Sequence, residues 1–402
     1  HTMAQALEGI RVLDFTIWQQ GPVATTALAD MGAEVVKIEE RVGGDPGRGL
    51  VWRGDQTALA TYFECHNRNK KGISLDVRKE QGREVIYRLA KNADVFVQNF
   101  RPGVVERLKI DYPTLSALNP RLVYASATGW GSKGDEVRKP AFDVLAQGRG
   151  GMLSVTGEPD EPPPLVQVNG AADWVGAIVL AYGILTALFA REKTGEGQHV
   201  DVSLLSAQAW YGQLGLQRAL FSGKTPRRVS RKRLGNPMYN VYRASDDKWL
   251  VIAALQSQRF WPAFCKVLET PEIENAPRFN SIAERSKNAE ELTAILDRVF
   301  LGRTRDEWLR RLESVDIPCA PVQDYGELAQ DPQMIANEYI IDYVHPTAGP
   351  VKLVANPVRL SKTPWQMRMP APEFGQHTEE VLLEVGGYSW EEIEQLRAAE
   401  VI

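Results

Sequence analysis

Asp173 is the residue of this sequence best placed to act as a covalent nucleophile. It precedes the apolar run 174–188, which predicts a long helix, and it follows the small-residue segment 168–172. An aspartate at a helix N-terminus accepts backbone N–H bonds and lies in the positive end of the helix dipole. We expect both effects to keep Asp173 ionised, as a carboxylate nucleophile requires. A residue that only caps the helix would give the same local pattern.

Further motifs surround Asp173 in a defined order along the chain. They are LEGIRVLDFT (7–16), QQGP (19–22), MGAEVVKIE (31–39), NRNKKGISL (67–75), QNFRPG (98–103), REKTGEGQ (191–198), DIPCAPV (316–322) and GQHTEEVL (375–382). Together with Asp173 they resemble the class III coenzyme A transferases, which share their fold with α-methylacyl-CoA racemase. The resemblance covers nearly all of the 402 residues.

The resemblance implies covalent catalysis by Asp173. Its carboxylate would attack an acyl-CoA thioester to give a mixed anhydride and CoA thiolate. The thiolate would return to form an aspartyl–CoA thioester, which the carboxylate of an incoming acid would then attack. Covalent catalysis of this kind divides one difficult acyl transfer into easier steps.

Two adjacent glutamines follow the first predicted strand. The resemblance places Gln19 beside the thioester carbonyl, where its amide would donate to the oxyanion that forms at each step. Its neighbour Gln20 replaces a small residue of formyl-CoA transferase, and we include it among the CoA-binding candidates. A polar loop residue such as Gln19 could instead cap the helix that follows.

The phosphates of CoA require basic side chains and helix N-termini. The resemblance places five residues at CoA-contact positions: Leu75, Arg78, Asn99, Phe100 and Arg107. Further CoA-binding candidates are Arg138 and Lys139, which precede the Phe142 segment, Phe142 itself, and Arg41. Asn99, Phe100 and Arg107 are favoured because they lie at a strand-to-helix turn, where open α/β sheets bind ligands. Glu40 stands where the family has an arginine, which leaves the adenine-side contact open. Each basic candidate could instead be a solvated surface charge.

Phe142 distinguishes a transferase from a racemase of the same fold. Those racemases have a histidine directly before an aspartate at this point, whereas this chain has Phe142-Asp143. A phenyl ring cannot transfer a proton, so the transferase is favoured. The alternatives are an acyl-CoA racemase or isomerase, and a CoA-binding subunit of a heteromeric transferase. The presence of Asp173 argues against the last.

Composition limits the partners of the protein. With 47 basic and 51 acidic residues, the net charge of −4 predicts no bulk attraction to nucleic acid or to a membrane. Cys65, Cys265 and Cys319 lack metal-ligand spacing, which indicates reduced thiols in a cytoplasmic protein with no metal site. Residues 1–3 resemble a tag remnant with no signal peptide after them. The donor acyl-CoA and the acceptor acid remain unnamed.

The first half of the chain alternates apolar runs with amphipathic stretches, as βαβ units do. We predict strands at 11–15, 34–38, 94–98, 122–126 and 200–202, and helices at 22–30, 80–90, 103–107 and 174–190. The turn after the first strand has QQGP in place of GxGxxG, which disfavours a nicotinamide cofactor. We therefore expect no permanently bound cofactor, with coenzyme A or acyl-CoA as substrate.

These patterns predict an α/β protein with a large Rossmann-like domain, a mainly parallel sheet and a smaller α+β domain. The expected divisions are a large domain at 4–222, a linker at 223–236, a small domain at 237–330, a return segment at 331–372 and C-terminal helices at 373–402. The smaller domain would contain a strand at 249–254 and helices at 259–268, 289–299 and 305–315. The resemblance implies that the long linkers let two subunits interlock as a homodimer.

Overall fold

The computed structural model describes residues 5–50, 59–166 and 169–402. Val168, in the predicted approach to the Asp173 helix, lies outside these residues. The strands are β1 (Arg11–Phe15), β2 (Glu34–Glu39), β3 (Lys70–Ser74), β4 (Val95–Gln98), β5 (Val123–Thr128), β6 (His199–Ser203), β7 (Tyr239–Arg243), β8 (Trp249–Ala253), β9 (Cys319–Pro321), β10 (Ile340–His345) and β11 (Gly349–Val354).

Helices connect and cover these strands. They are α1 (Gln20–Asp30), α2 (Thr61–Asn67), α3 (Glu80–Lys91), α4 (Val104–Arg107), α5 (Tyr112–Leu118), α6 (Asp143–Arg149), α7 (Met152–Val155), α8 (Ala171–Thr194), α9 (Leu204–Tyr211), α10 (Gln213–Ser222), α11 (Ser257–Leu268), α12 (Pro271–Glu274), α13 (Ile282–Lys287), α14 (Ala289–Phe300), α15 (Arg305–Glu313), α16 (Tyr325–Leu328), α17 (Pro332–Ala336), α18 (Thr378–Glu384) and α19 (Trp390–Ala398).

A six-stranded parallel sheet forms the centre of the first compact body. Its strand order is β3-β2-β1-β4-β5-β6, and every adjacent pair is parallel. This order is the doubly wound arrangement of Rossmann folds, so the predicted α/β fold with a parallel sheet is confirmed. Side chains alternate between the two faces: Val12 packs beneath α1 and α8, whereas Leu13 packs beneath α3, α18 and α19.

The sequence pattern did not predict β3. The strand begins Lys70-Lys71-Gly72, and two lysines followed by a glycine do not read as a buried strand. Lys70 is nevertheless fully buried because its ammonium group is paired inside the protein. The other strands of the sheet agree with the predicted ranges to within two residues.

Helix α8 spans 24 residues, longer than predicted. By length and composition alone it could cross a membrane, since its most apolar stretch has a mean hydropathy of 1.8. The helix is only partly buried. Ala177, Leu180 and Ile184 are buried against the sheet, whereas Tyr182 and Phe189 are 63% and 65% exposed.

The second compact body consists of residues 153–164 and 226–338. Its sheet has the order β7-β8-β9 with antiparallel pairing, and α11, α14 and α15 cover a core that includes Trp261 and Phe300. The chain before Met152, Leu165–Thr225 and Tyr339–Ile402 belong to the first body. The predicted divisions differ in two respects: segment 153–164 belongs with the second body, and part of the predicted return segment forms the antiparallel hairpin β10–β11.

A buried network of charges links β1, β2 and β3. Lys70 Nζ contacts Asp14 Oδ2 at 2.9 Å, and Lys37 Nζ contacts Asp45 Oδ2 at 2.8 Å, with all four side chains almost completely buried. Lys37 also donates to the carbonyl of Thr16 at 3.0 Å. Burial alone would raise the pKa of Asp14, but the charges of Lys70 and Lys37, together with hydrogen bonds from Thr16 and Thr25, lower it.

We predict that Asp14→Ala destabilises the first body strongly. Removing one partner of a buried pair leaves an uncompensated charge and costs about 3–5 kcal/mol. The free energy of unfolding in urea measures this cost. Asp342→Ala is the matched control, because Asp342 forms an exposed pair with Lys352 on the β10–β11 hairpin and should change stability little. Equal effects of the two variants would contradict the prediction.

Candidate functional site

The loop after β1 lies at the switch point of the sheet, where β1 and β4 diverge to opposite sides. Open α/β sheets bind ligands at the carboxyl ends of such strands. Asn99, directly after β4, accepts a bond from Ile17 N at 2.9 Å and donates to Ile17 O at 2.7 Å. Trp18 adopts a left-handed φ of 63°, and its N–H donates to Asp45 Oδ1 at 3.2 Å. The loop is therefore held from both sides of the switch point.

The Gln19 amide lies against the start of α8. Its Nε2 donates to Asn169 O at 2.9 Å, and the side chain is buried. A Cβ added at Gly170, where φ is +60°, would lie 2.4 Å from Gln19 Oε1, so no larger residue fits there. Two residues predicted as catalytic, Gln19 and Asp173, thus lie at the N-termini of neighbouring helices.

Asp173 is the third residue of α8 and does not cap it. The carboxylate of Asp143 does so instead: its Oδ1 accepts from Ala172 N at 2.6 Å and from Asp173 N at 3.1 Å. The expectation that Asp173 accepts these bonds is therefore wrong. Its own carboxylate is half-buried and lies close to a second carboxylate.

The pKa of Asp173 is raised to about 7, first by burial and then by the charge of Asp143. We expected the helix N-terminus to favour the ionised form. The opposite holds because burial disfavours the charged form and the like charge of Asp143 disfavours it further, while Asp143 already occupies N–H groups of the first turn. A carboxyl group with a pKa strongly shifted by both desolvation and a specific charged partner is a typical functional-site residue.

Four aromatic side chains form a row beside Asp173. Consecutive ring centroids are 6.5 Å apart from Trp18 to Tyr62, 4.5 Å from Tyr62 to His66 and 6.2 Å from His66 to Trp174, all edge to face. Burial raises the pKa of Tyr62, and the charge of Asp173 raises it further. Burial, followed by the charge of Lys70, lowers the pKa of His66 to about 4. Both side chains are therefore neutral near pH 7.

Comparison with known proteins identifies the family. Residues 7–378 match the family described as CoA-transferase family III. The chain belongs to that family. It is 34% identical to the acetyl-CoA:oxalate CoA-transferase of Acetobacter aceti over 88% of this chain and 89% of the relative. It is 32% identical to the (R)-2-hydroxy-4-methylpentanoate CoA-transferase of Clostridioides difficile over 98% and 99%. A CAIB/BAIF family protein from Brucella suis has a similar structure, with a TM-score of 0.86, 30% identity and coverage of 95% and 100%.

This family III CoA-transferase is therefore an enzyme of the transferase class. Two of the predicted CoA-binding arginines converge above the turn after β4. Arg107 Nη1 and Arg138 Nη2 lie 3.3 Å and 3.7 Å from the point where a Cβ on Gly103 would stand. Both residues are exposed, and no carboxylate in the described ranges pairs with either. Two neighbouring guanidinium groups without a carboxylate partner in those ranges suit the binding of a phosphate.

The other predicted CoA-binding cations of this CoA-transferase already have hydrogen-bond or ion-pair partners within the protein. Arg78 pairs with Asp76 at 2.9 Å and with Glu40 at 3.1 Å, and Arg41 Nε donates to Ile402 O at 3.2 Å. Lys139 is paired with Glu136. These cations are partly neutralised by the protein itself, so each would have to exchange a partner to bind a phosphate.

The apolar and amide candidates also separate into buried and exposed groups. Leu75 is buried in the core, so that only its backbone could contact CoA, and Phe100 packs on Phe15 with ring centroids 4.8 Å apart. Gln20 is buried, with its Nε2 next to Gly176 and without a hydrogen-bond partner in the described chain. Phe142, the residue before α6, is 56% exposed.

Asp143, Tyr62 and His66 had no predicted role in the site. Asp143 had a signal, since it completes the Phe142-Asp143 pair at the position where related racemases have His-Asp. Tyr62 and His66 had none, because they lie between the recognised motifs on the short helix α2. Their proximity to Asp173 is a property of the fold and not of sequence spacing.

We predict that Asp143→Asn lowers the pKa of Asp173. The amide keeps an oxygen that can accept the N–H bonds of α8, but it removes the like charge. Carbodiimide labels protonated carboxyl groups, so labelling of the Asp173 peptide, followed by mass spectrometry, should be half-maximal near pH 7 in the wild type. In Asp143→Asn the midpoint should move to lower pH. Asp201→Asn, at an exposed position on β6, is the control and should not move it. An unmoved midpoint in Asp143→Asn would show that burial alone sets this pKa.

Proposed function

We propose that the protein transfers coenzyme A from an acyl-CoA thioester to a free carboxylic acid, with Asp173 as the covalent nucleophile. One observation carries this proposal: a half-buried carboxylate begins α8, and the Gln19 amide lies against the same turn. Membership of CoA-transferase family III is consistent with this proposal. Coenzyme A and acyl-CoA act as substrates, and we propose no permanently bound cofactor.

The reaction would proceed through intermediates on Asp173. The ionised carboxylate attacks the donor thioester carbonyl, the C–S bond breaks, and an acyl–aspartyl anhydride and CoA thiolate result. The thiolate attacks the aspartyl carbonyl and expels the donor acid, leaving an aspartyl–CoA thioester. The acceptor carboxylate attacks this thioester and expels the thiolate, which then attacks the acceptor carbonyl. The products are the new acyl-CoA and regenerated Asp173.

Gln19 would stabilise the oxyanions of these steps. One N–H of its amide is occupied by Asn169 O, which fixes the plane of the group, and the other N–H is left for a substrate oxygen. A hydrogen-bond donor that is held in place before the reaction begins stabilises an oxyanion far more than a mobile donor does. The packing of Gln19 against Gly170 supports this positioning.

The surroundings of Asp173 would make its carboxylate more reactive. Burial and Asp143 destabilise the ionised form, and covalent attack on the thioester removes that charge. The same interaction that raises the pKa therefore favours formation of the anhydride. Asp143 would act as a positioning residue, because it also fixes the first turn of α8.

Arg107 and Arg138 would bind phosphates of CoA, with Arg41, Arg78 and Lys139 as further candidates. The convergence of two guanidinium groups near the carboxyl ends of β4 and β5 supports this assignment. A racemase is not proposed, because the position of its histidine is taken by Phe142. The presence of Asp173 likewise argues against a non-catalytic subunit.

We also propose a cytoplasmic homodimer in which two chains interlock. The chain leaves the first body after Thr225 and returns to it at Tyr339, as interlocking requires. Helix α10 supports an interface, since Leu214 and Phe221 are 86% and 83% exposed. Exposed apolar surface of this kind marks interaction sites.

Asp173→Asn should abolish transfer without weakening the fold. The folded-state pKa of about 7 lies above the unfolded value of 3.8, so stability is lost as the pH rises through this window. The variant avoids this loss and should melt at or above the wild-type temperature at a pH above 7. Wild-type protein incubated with acyl-CoA and hydroxylamine should carry the modification on Asp173. Undiminished turnover of the Asn variant would contradict the covalent mechanism.

Arg107→Ala and Arg138→Ala should each raise the KM for acyl-CoA with a smaller effect on kcat. A phosphate contact binds ground state and transition state alike. A charge-assisted hydrogen bond contributes about 1.5–3 kcal/mol, so a rise on the order of tenfold or more is expected. Lys91→Ala removes an exposed cation at the end of α3 and serves as the control. An unchanged KM in both arginine variants would show that they are ordinary surface charges.

Dilution to nanomolar concentration should leave the homodimer intact. Two interlocked chains cannot separate without unfolding, so mass photometry should give twice 44.8 kDa at every concentration. A reversible shift to 44.8 kDa would contradict interlocking.

A further inference from the structure

The row formed by Trp18, Tyr62, His66 and Trp174 connects the two predicted catalytic residues. Trp18 directly precedes Gln19, and Trp174 directly follows Asp173. Each successive ring meets the next edge to face, so the row is continuous from one residue to the other. Trp174 is 42% exposed, which leaves apolar surface beside Asp173 uncovered. An acid that reacts at Asp173 would meet this surface.

The polar groups of the row are neutral. Tyr62 keeps its proton, and His66 is uncharged near pH 7. The Nδ1 atom of His66 is buried and has no hydrogen-bond partner within the described chain. The row therefore presents uncharged aromatic surface to a ligand.

The charges that act on Tyr62 are negative, whereas the ammonium group of Lys70 acts on His66 from inside the protein. Asp173, Asp45 and Asp143 all raise the pKa of Tyr62, and Asp143 raises that of Asp173. The neighbouring ammonium groups of Lys37 and Lys70 are completely buried and paired with Asp45 and Asp14. A second carboxylate on the acceptor would therefore meet like charge in a poorly hydrated place, which is unfavourable.

We propose that the acceptor is a monocarboxylic acid with an apolar aryl or branched-alkyl side chain that packs on this aromatic row. The proposal rests on the function proposed above. Aromatic side chains bury large areas and favour edge-to-face contacts with aryl groups. Small dicarboxylates, such as the oxalate named for one relative, would gain little from the row and would meet its negative surroundings.

The test is a competition between acceptors. Phenylacetate, 4-methylpentanoate, oxalate and glutarate are offered at equal concentration with acetyl-CoA or succinyl-CoA as donor, and mass spectrometry quantifies each acyl-CoA product. We expect kcat/KM for the two apolar acids to exceed that for the dicarboxylates at least tenfold. Preference for either dicarboxylate would overturn the proposal.

Variants of the row test its role directly. Trp174→Ala and Tyr62→Leu should each lower the ratio of kcat/KM for phenylacetate to that for glutarate at least fivefold, and a melting curve checks that each variant folds. Trp390→Ala, an exposed tryptophan in the last helix, is the matched control and should leave the ratio unchanged. A ratio unaffected in both row variants would overturn the assignment.

Calorimetric titration of the free acids in the presence of CoA separates this proposal from the function on which it rests. If acyl-CoA and hydroxylamine modify Asp173 but dicarboxylates are the preferred acceptors, the proposed covalent transfer is supported and the proposed acceptor class is rejected. Without any Asp173 labelling, the covalent mechanism would fail. Tighter binding of phenylacetate than of glutarate would even then support the aromatic subsite, and the reverse order would reject it.

Discussion

The buried charges of Asp14, Lys70, Lys37 and Asp45 determine where the loop after β1 lies. Lys37 donates to the Thr16 carbonyl, and Asp45 accepts the N–H of Trp18, so two successive parts of the loop are held by side chains of the network. Lys70 also donates to the carbonyls of Pro22 and His66, which ties α1 and α2 to the same ammonium group. Every hydrogen-bonding position of that ammonium is used, which offsets part of the cost of burying its charge. Burial still lowers the pKa of Lys70 to about 8. The positions of Gln19 and of the aromatic row follow from this arrangement.

The start of α8 shows the opposite use of charge. The network beneath β1 pairs opposite charges, whereas Asp143 and Asp173 bring like charges together. The fold tolerates this because Asp143 is well satisfied by the N–H groups of α8, so that the unfavourable energy falls mainly on Asp173. Residues that lower stability in this way are typical of functional sites. In the proposed reaction, the energy stored in the ionised carboxylate is released when it becomes an ester-like group.

The local sequence pattern was sufficient to predict most strands of the parallel sheet, but it did not predict the edge strand β3. Strands β1 and β4 are apolar runs that end in polar turns, and their positions could be predicted from the sequence. Strand β3 could not, because the reason for burying Lys70 lies more than 50 residues away, in Asp14. The hairpin β10–β11 was missed because its side chains are only partly buried and leave no clear alternation of apolar and polar residues.

The candidate site also contains residues that the sequence reveals and residues that only the fold brings together. Gln19, Asp173 and Arg107 lie in or close to segments that the order of the motifs reveals, and Arg138 lies shortly before the Phe142-Asp143 pair. The ionisation of Asp173 could not be predicted, since it depends on Asp143, which lies 30 residues earlier in the chain and becomes a neighbour only through folding. The same is true of α2, whose aromatic residues belong to no motif yet lie beside the carboxylate.

The C-terminal helices have a consequence for the order of events during protein synthesis. Residues of α18 and α19 complete the core on one face of the parallel sheet, and Asp76 N donates to Val401 O at 2.7 Å. On the ribosome, the strands emerge long before the helices that cover them, and the second body is made in between. The part of that face that α18 and α19 cover therefore stays exposed until translation has passed Val401, although α3 already covers its neighbour. Apolar surface left exposed in this way makes an incomplete chain prone to aggregate.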